Sequence, residues 1–245
     1  MKTRGHTLYL IPWHIGARGD LTLNTVSLAR RLGVFLAEEA GEAAEQFLSI
    51  LRLDAKGREF LTIPPRPDPA FLNRVLGLLE KGDVGLISSG GMPCFADPGG
   101  WLVREVRARG GGVTAMAGAS GLTTLLALSG FDWLEDPPTR RFSFTFFEAA
   151  GPHDFFLETV ARKFEPVVVF LRVAAFPKCL KVMREAVGKR PIAAFLDLTK
   201  PRPKFPHADE VRVLTVAEWQ AGKAKVAWDR VSDMALMIHP EVYRR

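Results

Sequence analysis

The chain has 245 residues, 47% of them hydrophobic and 24% charged, enough to bury one large core or two smaller ones. Thirty-three Lys and Arg against 27 Asp and Glu leave a net charge of +6, which fits a polyanionic partner and equally fits a solvated surface with a mild basic bias. No apolar stretch reaches the ~20 residues of a membrane span, MKTRGHTLYLIPWHIG carries no small-residue cleavage site of a signal peptide, and two distant cysteines, Cys94 and Cys179, allow neither a disulfide framework nor zinc spacing.

A reducing cytoplasm is the setting that this cysteine usage suggests. In chain order, TLYLI (7–11) reads as a strand, NTVSLARRL (24–32) as a helix and VFLA (34–37) as a strand, followed by Glu38-Glu39 in a loop. IPPRPDP (63–69) is a rigid connection. AFLNRVLGLLEKG (70–82) places apolar residues on one helical face and stops at Gly82. DVGLI is a strand, WLVREVRARG a helix, GVTAMA a strand, and SGLTTLLALSGF (120–131) a helix ending at Gly130.

DWLEDPPTRR (132–141) reads as a loop between halves, and the alternation then restarts. FSFTFF, VVVFL, IAAFLDL, VRVLTV and MALMIHP read as strands; DFFLETVARKF and FPKCLKVMREAVG read as helices. The pattern predicts an α/β fold of two α/β domains, 1–117 and 118–245, each with a mostly parallel sheet.

Ligands of open parallel sheets sit beyond the carboxyl ends of the strands. There, after VGLI, the chain runs SSGGMPCFADPGG (88–100). Gly90 and Gly91 permit close backbone approach, while Pro93 and Pro98 fix the rest. PWHIGARGD (12–20) and AGASG (117–121) follow two other strands, and Asp20 is placed to cap the next helix. A tight turn with no ligand explains the glycines equally well on composition alone. No P-loop and no dinucleotide fingerprint is present.

Taken in order, these segments resemble the tetrapyrrole methylase family, and within it the ribosomal RNA small subunit methyltransferase I branch. LYLIPWHIGARGDLTLNTV is similar to L-Y-V-x-x-T-P-I-G-N-L-G-D-I-T-L-R-A, and FLAEEAG to I-A-A-E-D-T-R. GLISSGGMPCFADPGG is similar to L-V-S-D-A-G-x-P-x-I-S-D-P-G, MAGASGLTTLLALSGF to L-P-G-P-S-A-x-x-x-A-L-x-x-S-G, and DLTK (197–200) to E-L-T-K. The resemblance implies a cleft between the domains that holds S-adenosylmethionine (SAM), with Pro12, Gly90, Gly91, Met92, Phe95, Ser120, Gly121 and Leu171 as cofactor contacts. It implies methyl transfer to RNA, at a ribose 2′-oxygen of ribosomal RNA in that branch, by a homodimer without metal or membrane.

The departures are specific. Ala17-Arg18 replace Asn-Leu, Ser89 replaces Asp, and Ala117 and Ala119 replace both prolines of P-G-P-S. Trp13 stands where the family has a small Thr, and would narrow the cleft. Arg172 replaces a Glu, and Pro201 to Lys204 replace His-Glu-Glu. A hydroxyl acceptor loses a proton, so Glu38 and Glu39 are the candidate bases, and Lys200 the candidate cation for acceptor or phosphate. Solvated surface roles fit all three as well. His14 and His153 read as surface or loop histidines. A SAM-dependent methyltransferase of a tetrapyrrole or other small molecule, and a non-catalytic SAM-binding protein, remain alternatives.

Overall fold

The computed structural model describes residues 5–133, 141–196, 211–224, 226, 228 and 233–241. Contacts divide the chain into two compact units, Met1–Ser120 and Gly121–Arg245, each with a five-stranded sheet.

In the first unit, β1 (Thr7–Ile11), β2 (Val34–Ala37), β3 (Glu59–Thr62), β4 (Val84–Ile87) and β5 (Gly112–Ala115) pair in the order β3-β2-β4-β1-β5. Every pairing is parallel. Helices α1 (Leu23–Arg31), α2 (Ala40–Leu51), α3 (Pro69–Leu79) and α4 (Gly100–Ala108) lie between the strands in sequence. Side chains alternate along each strand, so both faces of the sheet must be covered. Ile11, Phe35 and Ile87 pack with Leu28 of α1 and Phe47 of α2. Leu8, Leu36 and Leu86 pack with Val75 of α3 and Leu102 of α4. This is a doubly wound sheet.

Two features of this sheet prepare a site. Ile11 lies opposite Ile87, so the chain leaves neighbouring strands β1 and β4 at the same level. From β1 it proceeds to β2, and from β4 to β5, in opposite directions along the sheet. That divergence is the condition for a crevice at the carboxyl ends.

Local signals start and stop the helices. Thr22 caps α1 by accepting from the Thr25 amide at 3.2 Å. Asp68 caps α3, accepting from the amides of Ala70 and Phe71 at 2.8 and 3.0 Å, with Pro69 in the first turn. The predicted stop at Gly82 comes three residues after the helix ends, where the Gly82 amide closes the turn onto Leu78 at 3.0 Å.

Two elements, α2 and β3, lie where the sequence predicts none. Gly41 in the first turn and the absence of a side-chain bond at Glu39 weaken the local signal for α2. Burial of Phe47 and Leu51 against the sheet holds it instead.

In the second unit, α5 (Gly121–Leu128), β6 (Ser143–Phe146), α6 (Asp154–Val160), β7 (Val167–Arg172), α7 (Phe176–Val187), β8 (Ile192–Leu196), β9 (Val211–Leu214), α8 (Val216–Gln220) and β10 (Asp233–Ile238) follow in sequence. The sheet order is β6-β7-β10-β8-β9. Over both sheets five of eight pairings are parallel, but three of the four in the second are antiparallel. The expectation of a mostly parallel second sheet is thus corrected. The final strand β10 inserts between β7 and β8, antiparallel to both. Both faces are again apolar, and an apolar run such as MALMI does not encode its direction. Predicted strand VRVLTV stops at Leu214, because Thr215 and Glu218 form a capping box that opens α8. Most of the predicted loop 132–141 lies outside the described residues.

Phe47 is 1% exposed and packs its ring 4.9 Å from that of Trp13. Phe47→Ala is expected to destabilise the first unit by about 3–5 kcal/mol, read as a lower urea midpoint. An unchanged midpoint would contradict this account of α2.

Candidate functional site

The loops after β1 and β4 are fastened to each other. The Trp13 amide donates to the Gly91 carbonyl at 2.8 Å, an isolated antiparallel bridge. Ser88, nearly buried, donates its hydroxyl to the same carbonyl at 2.9 Å. Gly91 has φ +70°, so the turn requires a residue that tolerates the left-handed region. Cys94 and Ala96 also have positive φ, 68° and 69°, at roughly 1 kcal/mol or more each. Strain of this kind persists only where the surroundings impose it.

The loop after β1 carries its own clasp. Asp20 accepts from the amides of Ile15 and Ala17, both at 3.0 Å. The predicted helix cap at Asp20 is therefore corrected: Asp20 folds its own loop and Thr22 caps α1. The loop after β5 closes the cluster. Thr22 donates to the Ala117 carbonyl at 3.4 Å. A Cβ at Gly118 would stand 2.5 Å from Pro12 Cγ, so only glycine allows this approach.

Among the described residues, the amides of Gly90 and Met92 make no hydrogen bond within the chain. The bridge ties Gly91 itself to Trp13. Pro12, Gly90, Gly91 and Met92 therefore belong to one cluster of loops, and Phe95 follows with 41% of its surface exposed. Glu38 and Glu39 are exposed just past β2, the neighbour of β4 in the sheet. Ser120 ends the first unit and Gly121 begins α5 in the second. Leu171 is 6% exposed, with its side chain in the core formed with α7, so only its backbone remains to meet a ligand. Lys200 and residues 201–204 lie outside the described residues.

Trp13 does not narrow the crevice as predicted. It is 3% exposed and turned into the core against Phe47. His14, predicted as a surface or loop histidine, lies in a loop but is fully buried, and neither ring nitrogen has a partner among the described residues. Burial lowers its pKa, opposed by Asp20 and assisted by Arg18, so the ring is neutral at pH 7. The signal was in the motif register. Counting back from Ile15-Gly16 and Gly19-Asp20, the family's Thr-Pro falls on Trp13-His14, one place after Pro12. Cys94 is no nucleophile, because burial, with Asp97 adding to it, pushes its thiol up to about 11. Among the described residues no group of three His, Cys, Asp or Glu is placed to hold a metal.

The sequence profile of the Tetrapyrrole (Corrin/Porphyrin) Methylases matches residues 7–209, and the chain belongs to that family. It is 31% identical over 208 residues to the ribosomal RNA small subunit methyltransferase I of Micromonospora olivasterospora, covering 81% of this chain and 61% of that relative. The chain thus spans less than two thirds of that relative's length. With the enzyme of the same name from Leptospira biflexa it shares 28% identity over 194 residues, 79% of this chain and 78% of the relative. Among solved structures, a cobalt precorrin-4 methyltransferase of cobalamin biosynthesis matches with TM-score 0.64 and 15% identity, covering 94% of both chains. A uroporphyrin III C-methyltransferase from Thermus thermophilus matches with TM-score 0.58 and 17% identity, covering 95% and 92%. At these identities the structures establish the fold alone.

Buried His14 makes stability depend on pH. Its folded pKa lies below the unfolded value of about 6.5. As pH falls below that value the unfolded chain takes up a proton first, so stability is lost down to the folded pKa. His239, also lowered by burial, adds in the same direction. Urea unfolding should show stability falling below about pH 6.5, by at most about 1.4 kcal/mol per pH unit for each histidine. His14→Leu should flatten the slope, and a wild-type slope in that variant would refute the assignment.

Proposed function

We propose that this chain is a SAM-dependent methyltransferase that acts on RNA, at a ribose 2′-oxygen of small-subunit ribosomal RNA. The extent of the likeness carries this reading. The family match runs from 7 to 209, through the glycine loops after β1, β4 and β5, and relatives 25–31% identical bear the ribosomal RNA small subunit methyltransferase I name.

The residues of the first unit fit SAM by their donor set. Gly90 and Gly91 leave room for a ligand's approach, the amides of Gly90 and Met92 offer two hydrogen bonds, and Phe95 is a contact that the family resemblance implies. Pro12, Ser120, Gly121 and the backbone of Leu171 complete the contacts that the family resemblance implies. When bound, SAM supplies an electrophilic methyl group on a sulfonium.

The protein's part is positioning and proton removal. The acceptor oxygen takes the methyl group of the bound cofactor, whose carbon–sulfur bond breaks to leave S-adenosylhomocysteine, and the oxygen's proton passes to a carboxylate or to water. Glu38 and Glu39, past the end of β2, are the carboxylates assigned to that proton. Lys200 is assigned to the acceptor strand's phosphate. By the same resemblance the enzyme is a cytoplasmic homodimer. Two free thiols suit a reducing compartment, and no helix among the described residues is long and apolar enough to cross a membrane.

S-adenosylhomocysteine at ~100 times its dissociation constant should add about 2.7 kcal/mol, a shift of roughly 5–10 °C in melting temperature for a chain of this size. No shift at millimolar ligand would overturn the methyltransferase reading. Methyl transfer to small ribosomal subunits should follow and weaken steeply with salt. Salt-independent transfer to a tetrapyrrole, with none to RNA, would replace the acceptor. Changing Glu38 and Glu39 together to Gln should lower turnover by about 10²–10⁴-fold, with S-adenosylhomocysteine affinity unchanged. Wild-type turnover would remove them from the mechanism.

A further inference from the structure

A cavity of about 830 Å³ opens on the second unit, lined by α7, α8 and Trp228. Its walls are aromatic. Phe176 and Trp219 are 4% and 6% exposed, and their rings meet edge to face with centroids 5.3 Å apart. Trp228 stands 5.6 Å from Phe176 and 6.4 Å from Trp219. It keeps 42% of its surface in solvent.

Three features have no use within the unit itself. The indole nitrogen of Trp219 is buried and has no hydrogen-bond partner among the described residues, whereas buried tryptophans normally find one. Trp228 exposes a large flat apolar face beside an aromatic wall. Lys181 and Arg184, three apart on α7 and therefore on one face of it, are exposed, and no ion pair is made by either among the described residues. The acid of α8, Glu218, is already engaged, by Lys223 at 3.0 Å and by the Thr215 amide at 3.0 Å. Hydrogen bonds to both partners hold its carboxyl down at about 2.

These features are complementary to one kind of ligand: a flat ring that carries hydrogen-bond acceptors, joined to a negative charge. A nucleotide has all three. The volume lies within the 300–1,000 Å³ of small-molecule sites, room for a base with its sugar and phosphate. Single-stranded RNA is held in this way, by bases stacked on aromatic side chains and phosphates on Lys and Arg. The geometry points to this face as the docking site for an unpaired nucleotide of the RNA substrate. The base stacks on Trp228, and the adjoining phosphates lie on Lys181 and Arg184. This assignment rests on RNA as the acceptor.

The test is binding of the full chain to a labelled single-stranded oligoribonucleotide of roughly 12 nucleotides, read by fluorescence anisotropy over a range of salt. S-adenosylhomocysteine binding is measured on the same samples as a control for folding. Trp228→Ala is expected to weaken RNA binding by about 5- to 150-fold, and Trp228→Phe to retain most of it. Lys181→Ala with Arg184→Ala should reduce the slope of log K against log salt by about 1.4. S-adenosylhomocysteine affinity should not change in any of them. Wild-type RNA affinity and slope in these variants would overturn the docking site while leaving the RNA methyltransferase reading in place. No RNA binding by the wild-type chain would overturn both. Loss of a dimer in Trp228→Ala, at unchanged RNA affinity, would mark the face as a contact between chains and overturn the inference.

Discussion

One hydrogen bond, from the Trp13 amide to the Gly91 carbonyl at 2.8 Å, holds together the loops at the carboxyl end of the first unit's sheet. A parallel sheet has no hairpins, so the loops after β1 and β4 leave side by side with nothing in the strand ladder to join them. The bond joins them, and its supports are traceable. The Trp13 side chain is anchored on Phe47, which requires α2. Ser88 donates to the same carbonyl, and Asp20 folds the remainder of the first loop. With these in place, the Gly90 and Met92 amides are presented rather than consumed.

The second unit solves a different problem. Its central strands are buried on both faces, and its helix ends are tied by a buried cation. Arg190, 4% exposed, donates to the carbonyls of Val160, Arg162, Ala186 and Val187, at the C-terminal ends of α6 and α7. Carbonyls at helix C-termini lack intrahelical partners and carry partial negative charge, so one guanidinium satisfies four of them. Burial lowers its pKa, and the charge of Glu241 opposes that. Fixing the end of α7 in this way also fixes the face from which Lys181 and Arg184 project.

Elements whose cause is local were legible in the sequence. The apolar runs TLYLI and VGLI mark strands with two buried faces, and the one-sided apolar pattern of 70–82 marks α3, whereas the cap of α1 is predicted at Asp20 and falls on Thr22. The glycine loops could be placed at strand ends because parallel topology puts ligands there. What could not be read depends on distant partners. The α2 helix is held by tertiary burial rather than by caps. The antiparallel insertion of β10 is a choice of partner, which an apolar run does not record. Leu171 was placed by position, and its side chain proved to belong to the core. His14 looked exposed because histidine usually is; its burial follows from the packing of Trp13 beside it, their rings 5.3 Å apart.

The exchange of the family's Thr-Pro for Trp13-His14 has a physical logic. A proline fixes the loop through its ring, without burying a polar group. His14 gives up that restriction and leaves two ring nitrogens buried without partners among the described residues, at about 1–3 kcal/mol for each unmet group. A buried tryptophan removes about 150–250 Å² from water, worth up to about 4–6 kcal/mol at ~25 cal/mol/Å². The two terms are of the same size. The loop has exchanged covalent stiffness for apolar packing at no large net cost, and its position now depends on the core of α1 and α2. Ligand contacts made through backbone atoms tolerate such an exchange, because they need the loop in place and are indifferent to which side chains hold it there.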